Sequence, residues 1–173
     1  MIITVYADGW VALPRRFAPC SLGQSGIKPT PYKKEGDGGT PGGIWTMRRV
    51  LYRADRMREP PETGLPVSAL APDDGWCDAP GDPAYNRQVK LPYPASAEAL
   101  WRDDEVYDLI VVLGYNDDPV VSGAGSAIFL HVANHDEFCT QGCVAMDKPD
   151  LLDLLVGARA GDSLHIRRER RLP

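Results

Sequence analysis

Between residues 55 and 98 the chain carries Pro60, Pro61, Pro66, Pro72, Pro80, Pro83, Pro92 and Pro94. No other feature so limits what it can fold into. Each proline removes a backbone donor and blocks a helix interior, so long regular elements are excluded there. A loop of that length without secondary structure of its own is usually functional or partly disordered. Trp76, Tyr85 and Tyr93, set among polar neighbours, predict a folded and functional one. The bias is general: 17 glycines and 16 prolines among 173 residues stand well above the roughly 12% combined average. Such a chain makes many turns and is not a helical bundle.

The regular elements read as strands around these breaks. Ile2, Thr4 and Tyr6 alternating with Ile3 and Val5 open with a β-strand. Residues 15–43 read as loop, and Ile44–Tyr52 as a second strand. Asp108–Tyr115 holds the unbroken run Leu109, Ile110, Val111, Val112, Leu113, the pattern of a strand buried on both faces. Val120-Val121 suggests a short strand, Ala127–Val132 another, and Val144-Ala145-Met146 a third. Asp147 as N-cap, Asp150 at N3 and the leucines 151, 152, 154 and 155 predict a helix ending at Gly157 or Gly161. Leu164-His165-Ile166 closes with a last strand. The expectation is mainly β, one domain over 1–173, with a few short helices.

Charge and hydropathy narrow the function. The net charge of −5 disfavours a nucleic-acid partner, because phosphate-backbone affinity comes from clustered Lys and Arg. The one dense basic run, Arg167-Arg168-Glu169-Arg170-Arg171, reads as a solvated tail. No stretch approaches the roughly 20 apolar residues of a transmembrane helix. The start, Met1-Ile2-Ile3-Thr4-Val5-Tyr6-Ala7-Asp8, lacks the basic and long apolar regions of a signal peptide. Four cysteines, Cys20, Cys77, Cys139 and Cys143, are too few for a disulfide scaffold in a domain of this size.

The chemistry concentrates between His131 and Met146. His131, His135, Cys139 and Cys143 fall within 13 residues, and these are the residue types of a nucleophile and its base. A free thiol has a pKa near roughly 8.5, and an adjacent imidazole makes it reactive by taking its proton. A strand, a reversal and a return strand would set His131 and Cys143 on adjacent strands. Gly142 has no side chain, and its N–H together with that of Cys143 could face a developing oxyanion. Three other readings stand beside this one. The spacing of four suggests zinc, although a continuous helix of that length spans about 18 Å and could not converge on one ion. Cys139 and Cys143 could form a disulfide if their Cα atoms lay within about 7 Å. Cys143 could also be a small buried apolar residue, as most free cysteines are.

The strand Ile128-Phe129-Leu130-His131 followed by Thr140-Gln141-Gly142-Cys143-Val144-Ala145-Met146 resembles the signature of the YkuD-type L,D-transpeptidases. That family has a His at a strand end, then Ser/Thr-His-Gly-Cys and a short strand and helix. Thr40-Pro41-Gly42-Gly43-Ile44-Trp45, preceded by Lys34-Glu35-Gly36-Asp37-Gly38, is similar to its Thr-Pro-x-Gly-x-aromatic motif. The resemblance spans roughly residues 30–155. It implies a mixed β-sandwich and an enzyme cross-linking peptidoglycan stem peptides. Cys143 would be the nucleophile, His131 the base held by the backbone carbonyl of Val132, and the Gly142 and Cys143 amides the oxyanion hole. The acceptor would be the side-chain amine of a diamino acid such as meso-diaminopimelate. No metal or organic cofactor is implied, and the location implied is periplasmic or cell-wall associated.

Two positions depart from that pattern. Gln141 stands where the family has His, and Ala145 where it has Arg two residues after the cysteine. The chain resembles a short branch that joins L-Ala of one stem to the diamino acid of another. The departures also leave room for a peptidoglycan-binding module with a decayed site, or for a hydrolase using water as acceptor. Gln141, Thr140, Tyr115 and Trp76 are candidates for substrate contact. Trp10, Trp45 and Trp101 read as packing, and His135 and His165 as solvated. A monomer is expected.

Overall fold

The computed structural model describes residues 1–134 and 136–171. Its strands are β1 (Ile2–Tyr6), β2 (Trp10–Ala12), β3 (Phe17–Ser21), β4 (Ile27–Pro29), β5 (Thr40–Tyr52), β6 (Val67–Ala69), β7 (Asp74–Cys77), β8 (Gln88–Lys90), β9 (Ala97–Ala99), β10 (Leu109–Leu113), β11 (Phe129–Val132), β12 (Val144–Met146) and β13 (Ser163–Ile166). A 3-10 turn spans Thr30–Tyr32, and α1 (Lys148–Gly157), with Asp147 at its N-cap, is the one α-helix among the described residues. The expected few short helices are thus one helix and one turn.

Strand β5 organises the molecule because it serves two sheets. Its residues 43–46 pair antiparallel with β13, and its residues 47–52 pair antiparallel with β10. Strand β3 does the same at the opposite edge, pairing with β2 through 17–19 and with β12 through 20–21. The ladder therefore runs β10-β11-β12-β3-β2-β1-β13-β5 and returns to β10. Two mixed sheets share their edge strands and close on one core. This closure leaves fewer open edges to pair with another chain.

The period of two within the central strands sorts their residues between two apolar clusters. Leu109, Val111 and Leu113 of β10, with Leu130 and Val132 of β11, face the main core, where Ile3, Val5, Val50 and Leu154 meet them. Ile110 and Val112, with Phe129, face outward into a second cluster that holds Leu51, Trp76, Leu100, Tyr107 and Cys143. The outer face is covered by β8-β7-β9, a separate three-stranded sheet built from the proline-rich segment. This is why β10 is buried at all five positions. The prolines forbid long strands and the segment answers with short ones.

Several expectations need correction. Residues 15–43 contain β3, β4 and the start of β5, so they are not simply loop. β2 is a further strand, beyond those the sequence pattern predicts. Val120 and Val121 form no strand. The largest difference is the link from His131 to Cys143. β11 and β12 are parallel neighbours, Leu130 facing Val144 and His131 facing Ala145. The chain therefore crosses back before β12 instead of reversing in a hairpin, which shifts Cys143 towards Phe129.

Candidate active site

The outer face of β11 and β12 forms one wall of a cavity of about 440 Å³, and the roof sheet supplies another. Phe129 and His131 lie two residues apart and so project from the same face of β11. Cys143 immediately precedes β12 and is aligned with Phe129, whose N–H donates to its Sγ at 3.4 Å. The thiol itself donates to the Ala127 carbonyl at 3.2 Å. Cys143 and His131 both line the cavity, and no hydrogen bond joins them among the described residues. In this state the thiol proton rests on a backbone carbonyl.

The nucleophile loop is fastened by two other segments. Thr140 Oγ1 donates to the Cys143 carbonyl at 2.7 Å, and Thr40 Oγ1 donates to it at 3.3 Å. Thr40, fully buried, also accepts from the Gly23 N–H at 2.8 Å. Gly142 sits at φ +141, and a Cβ there would come within 2.9 Å of the Gly39 carbonyl oxygen. Only glycine fits that approach at a φ that L side chains rarely adopt. Thr40→Val should leave the buried Gly23 N–H without an acceptor and lower stability by about 1–3 kcal/mol. Thr40→Ser should restore most of it; denaturant unfolding of the three proteins measures this.

His131 is buried, and its Nδ1 lies 2.8 Å from the Val132 carbonyl oxygen. A carbonyl only accepts, so the ring proton is on Nδ1, and Nε2 keeps its lone pair for a proton. Burial, reinforced by the nearby Arg102 charge, pushes the imidazole pKa down to about 4. Burial, with the Glu98 carboxylate as the next contribution, pushes the Cys143 thiol up to about 12. The pair at rest is therefore a neutral thiol and a neutral imidazole.

The depressed imidazole makes stability depend on pH. The unfolded chain takes a proton near pH 6.5 and the folded one only near 4. The folded state is fully favoured above about 6.5 and progressively loses up to roughly 3 kcal/mol as the pH falls through that window. The same titration in His131→Gln should show a correspondingly smaller loss between pH 6.5 and 4. Equal losses in both proteins would remove His131 as the cause.

The other expected site residues are divided by the structure. Gln141 and Thr140 line the cavity, and Gln141 Oε1 accepts from Gln24 Nε2 at 3.1 Å. The Gly142 N–H donates to Thr140 Oγ1 at 3.1 Å. It is therefore not free as the expected oxyanion donor in this state, because the turn uses it internally. The Cys143 N–H has no hydrogen-bond partner among the described residues.

Tyr115 and Trp76 do not line the cavity. Tyr115 is buried in the main core with its hydroxyl on the Ala124 carbonyl. Trp76 is buried edge-on against Phe129 at 5.0 Å and donates to Asn86. Both are held by apolar packing behind the site. Cys139 is exposed at the cavity, and all four cysteines are free thiols. His135 lies outside the described residues, and among the rest no three His, Cys, Asp or Glu side chains gather around one point.

Sequence reasoning missed the polar residues that complete the cavity: Lys33, Glu35, Asp78, Glu98, Arg102 and Tyr107. Glu35 lies within the Lys34–Gly38 segment already singled out, and accepts from Tyr85 and from Ser126 at 2.7 Å. Asp78 follows Trp76-Cys77, and Glu98 alternates with Ala97 and Ala99 on β9. That alternation marked a strand with one polar face, but nothing local said which cavity it would meet.

No curated protein matches the chain. Among solved structures, an L,D-transpeptidase from Mycobacterium smegmatis is 15% identical with a TM-score of 0.42, the alignment covering 96% of this chain and 58% of that one. The present chain thus spans little more than half the length of that protein. The sequence profile of the YkuD family, described as the L,D-transpeptidase catalytic domain, matches residues 2–166. That match runs from β1 through β13 and takes in β11, which carries the imidazole, and the turn before β12, which carries the thiol, so the chain belongs to the YkuD family of L,D-transpeptidase catalytic domains.

Proposed function

We propose that this protein is a peptidoglycan L,D-transpeptidase working through a cysteine acyl-enzyme. The observation that carries the reading is that Cys143 and His131 line one cavity. The thiol is free, just before β12, and the imidazole on the neighbouring β11 is neutral, with its Nδ1 tied to a backbone carbonyl. The thiol turns from the Ala127 carbonyl towards His131 Nε2 as it attacks the carbonyl of a donor stem peptide. Its proton passes to Nε2, the C–S bond forms, and the carbonyl π pair moves onto oxygen beside the Cys143 N–H. Such a donor is typically worth about 3 kcal/mol in the transition state. Collapse expels the leaving amine, which takes the proton from His131, and leaves a thioester. The side-chain amine of a diamino acid on a second stem then takes the acyl group. No step calls for a metal or organic cofactor, and this substrate class places the work at the cell wall.

The test is incubation with defined muropeptides followed by mass spectrometry of the products. Transpeptidation gives dimers, and their fragment masses distinguish a link at the first residue of the donor stem from one at the third. Shortened stems without dimers would make water the acceptor and the protein a hydrolase. Unaltered muropeptides that bind would make it a binding module.

A further inference from the structure

The cavity holds a carboxylate that the acyl-transfer steps above do not use. Glu98 projects from β9 in the roof sheet, opposite Trp76 of β7, and lines the same cavity as Cys143 and His131. Its Oε1 accepts from the Tyr107 hydroxyl at 2.6 Å. The Tyr107 ring meets His131 edge-to-face with centroids 5.4 Å apart. One tyrosine therefore joins the carboxylate to the imidazole and limits how far apart they can be. Close by, Asp78 also lines the cavity, and its Oδ1 is a buried acceptor with no hydrogen-bond partner among the described residues. Leaving such an oxygen unpaired costs about 1–3 kcal/mol. Its presence points to a donor that arrives with a ligand.

An amine acceptor poses a proton problem that the cysteine–histidine pair does not solve. At neutral pH a side-chain amine with a pKa near roughly 10.4 is an ammonium ion and has no lone pair for attack. It must lose two protons to become an amide nitrogen, and His131 takes one. Resting on the transpeptidase reading, we infer that Glu98 receives the acceptor ammonium and accepts its first proton, with Asp78 Oδ1 as a second hydrogen-bond acceptor for the same group. Proton transfer to Glu98 frees the nitrogen pair, which attacks the thioester carbonyl and forms the C–N bond while the π pair moves to oxygen. The second N–H proton passes to His131 Nε2. Collapse breaks the C–S bond, its pair returns to Sγ, and the sulfur recovers the proton from His131. Glu98 then releases its proton to solvent. Burial raises the Glu98 carboxyl above its ordinary range against the opposing Tyr107 hydrogen bond and Arg102 charge, with smaller contributions from Asp78 and Glu35, in the direction that favours taking a proton from an ammonium.

The experiment compares wild type with Glu98→Gln and Glu98→Asp, supplying a donor muropeptide first alone and then with a diaminopimelate-containing acceptor. Gln retains an oxygen for the Tyr107 hydroxyl but cannot take a proton. Expected for Glu98→Gln is a Cys143 acyl adduct that still forms and still hydrolyses, with dimer formation down about 100-fold. Glu98→Asp should recover part of that loss. The deficit should narrow as the pH approaches about 10, where the acceptor amine is already free; a purely structural role would not respond in this way. A dimer-to-hydrolysis ratio equal to that of wild type in Glu98→Gln overturns the inference and leaves the transpeptidase reading standing. Absence of any acyl adduct in wild type overturns both.

Discussion

Cys143→Ala is expected to abolish both the acyl adduct and the dimer product, a loss on the order of 10⁶-fold, as when a covalent nucleophile is removed from an enzyme that acts through a catalytic unit. The fold should survive. Cys143 contributes a small side chain to the outer cluster, and its sulfur makes two hydrogen bonds, from Phe129 N–H and to the Ala127 carbonyl. Losing the acceptor for a single buried N–H costs about 1–3 kcal/mol, so thermal unfolding should remain cooperative at a modestly lower midpoint. Intact-mass measurement after exposure to donor muropeptide reads the first effect, and calorimetry the second. A variant that still accumulates dimers would show that the sulfur is not the nucleophile. A variant that no longer folds would instead mark Cys143 as a packing residue.

His131→Gln should slow acylation by about 10²- to 10⁴-fold and change its pH dependence. With the thiol pushed up to about 12, the thiolate fraction at pH 7 is on the order of 10⁻⁵. Wild type avoids that limit because His131 Nε2 takes the proton during attack. Its acylation should fall only as the pH drops towards about 4, where the imidazole becomes charged. The variant must wait for thiolate that already exists, so its rate should climb about tenfold per pH unit through the alkaline range. Iodoacetamide labelling of Cys143 measured from pH 5 to 10 compares the two profiles without any stem peptide. Parallel profiles would mean that the imidazole does not serve the sulfur.

The legible parts of the fold were those written in local pattern. β10 showed as five consecutive apolar residues, and β11 and β12 as short apolar runs beside the motif. The helix showed in leucines at helical spacing. β3, with the sequence Phe-Ala-Pro-Cys-Ser, and β4, with Ile-Lys-Pro, carry prolines that argue against strands. Their pairing with β2, β12 and β5 overrides that local preference. Propensity is a weak vote where a closing ladder supplies the partners.

For the site, the sequence by itself determined which atoms can do chemistry. A cysteine after glycine and a histidine at the end of an apolar strand are local facts of residue type and spacing. Only the tertiary structure decided which groups surround them. The parallel pairing of β11 with β12 set the thiol beside Phe129, and the roof sheet brought Asp78 and Glu98 over it. Glu98 lies 45 positions from Cys143 along the chain. Residue type and spacing act over a few neighbours, whereas burial and charge act through space, so the electrostatics of the cavity were invisible until the sheets had closed.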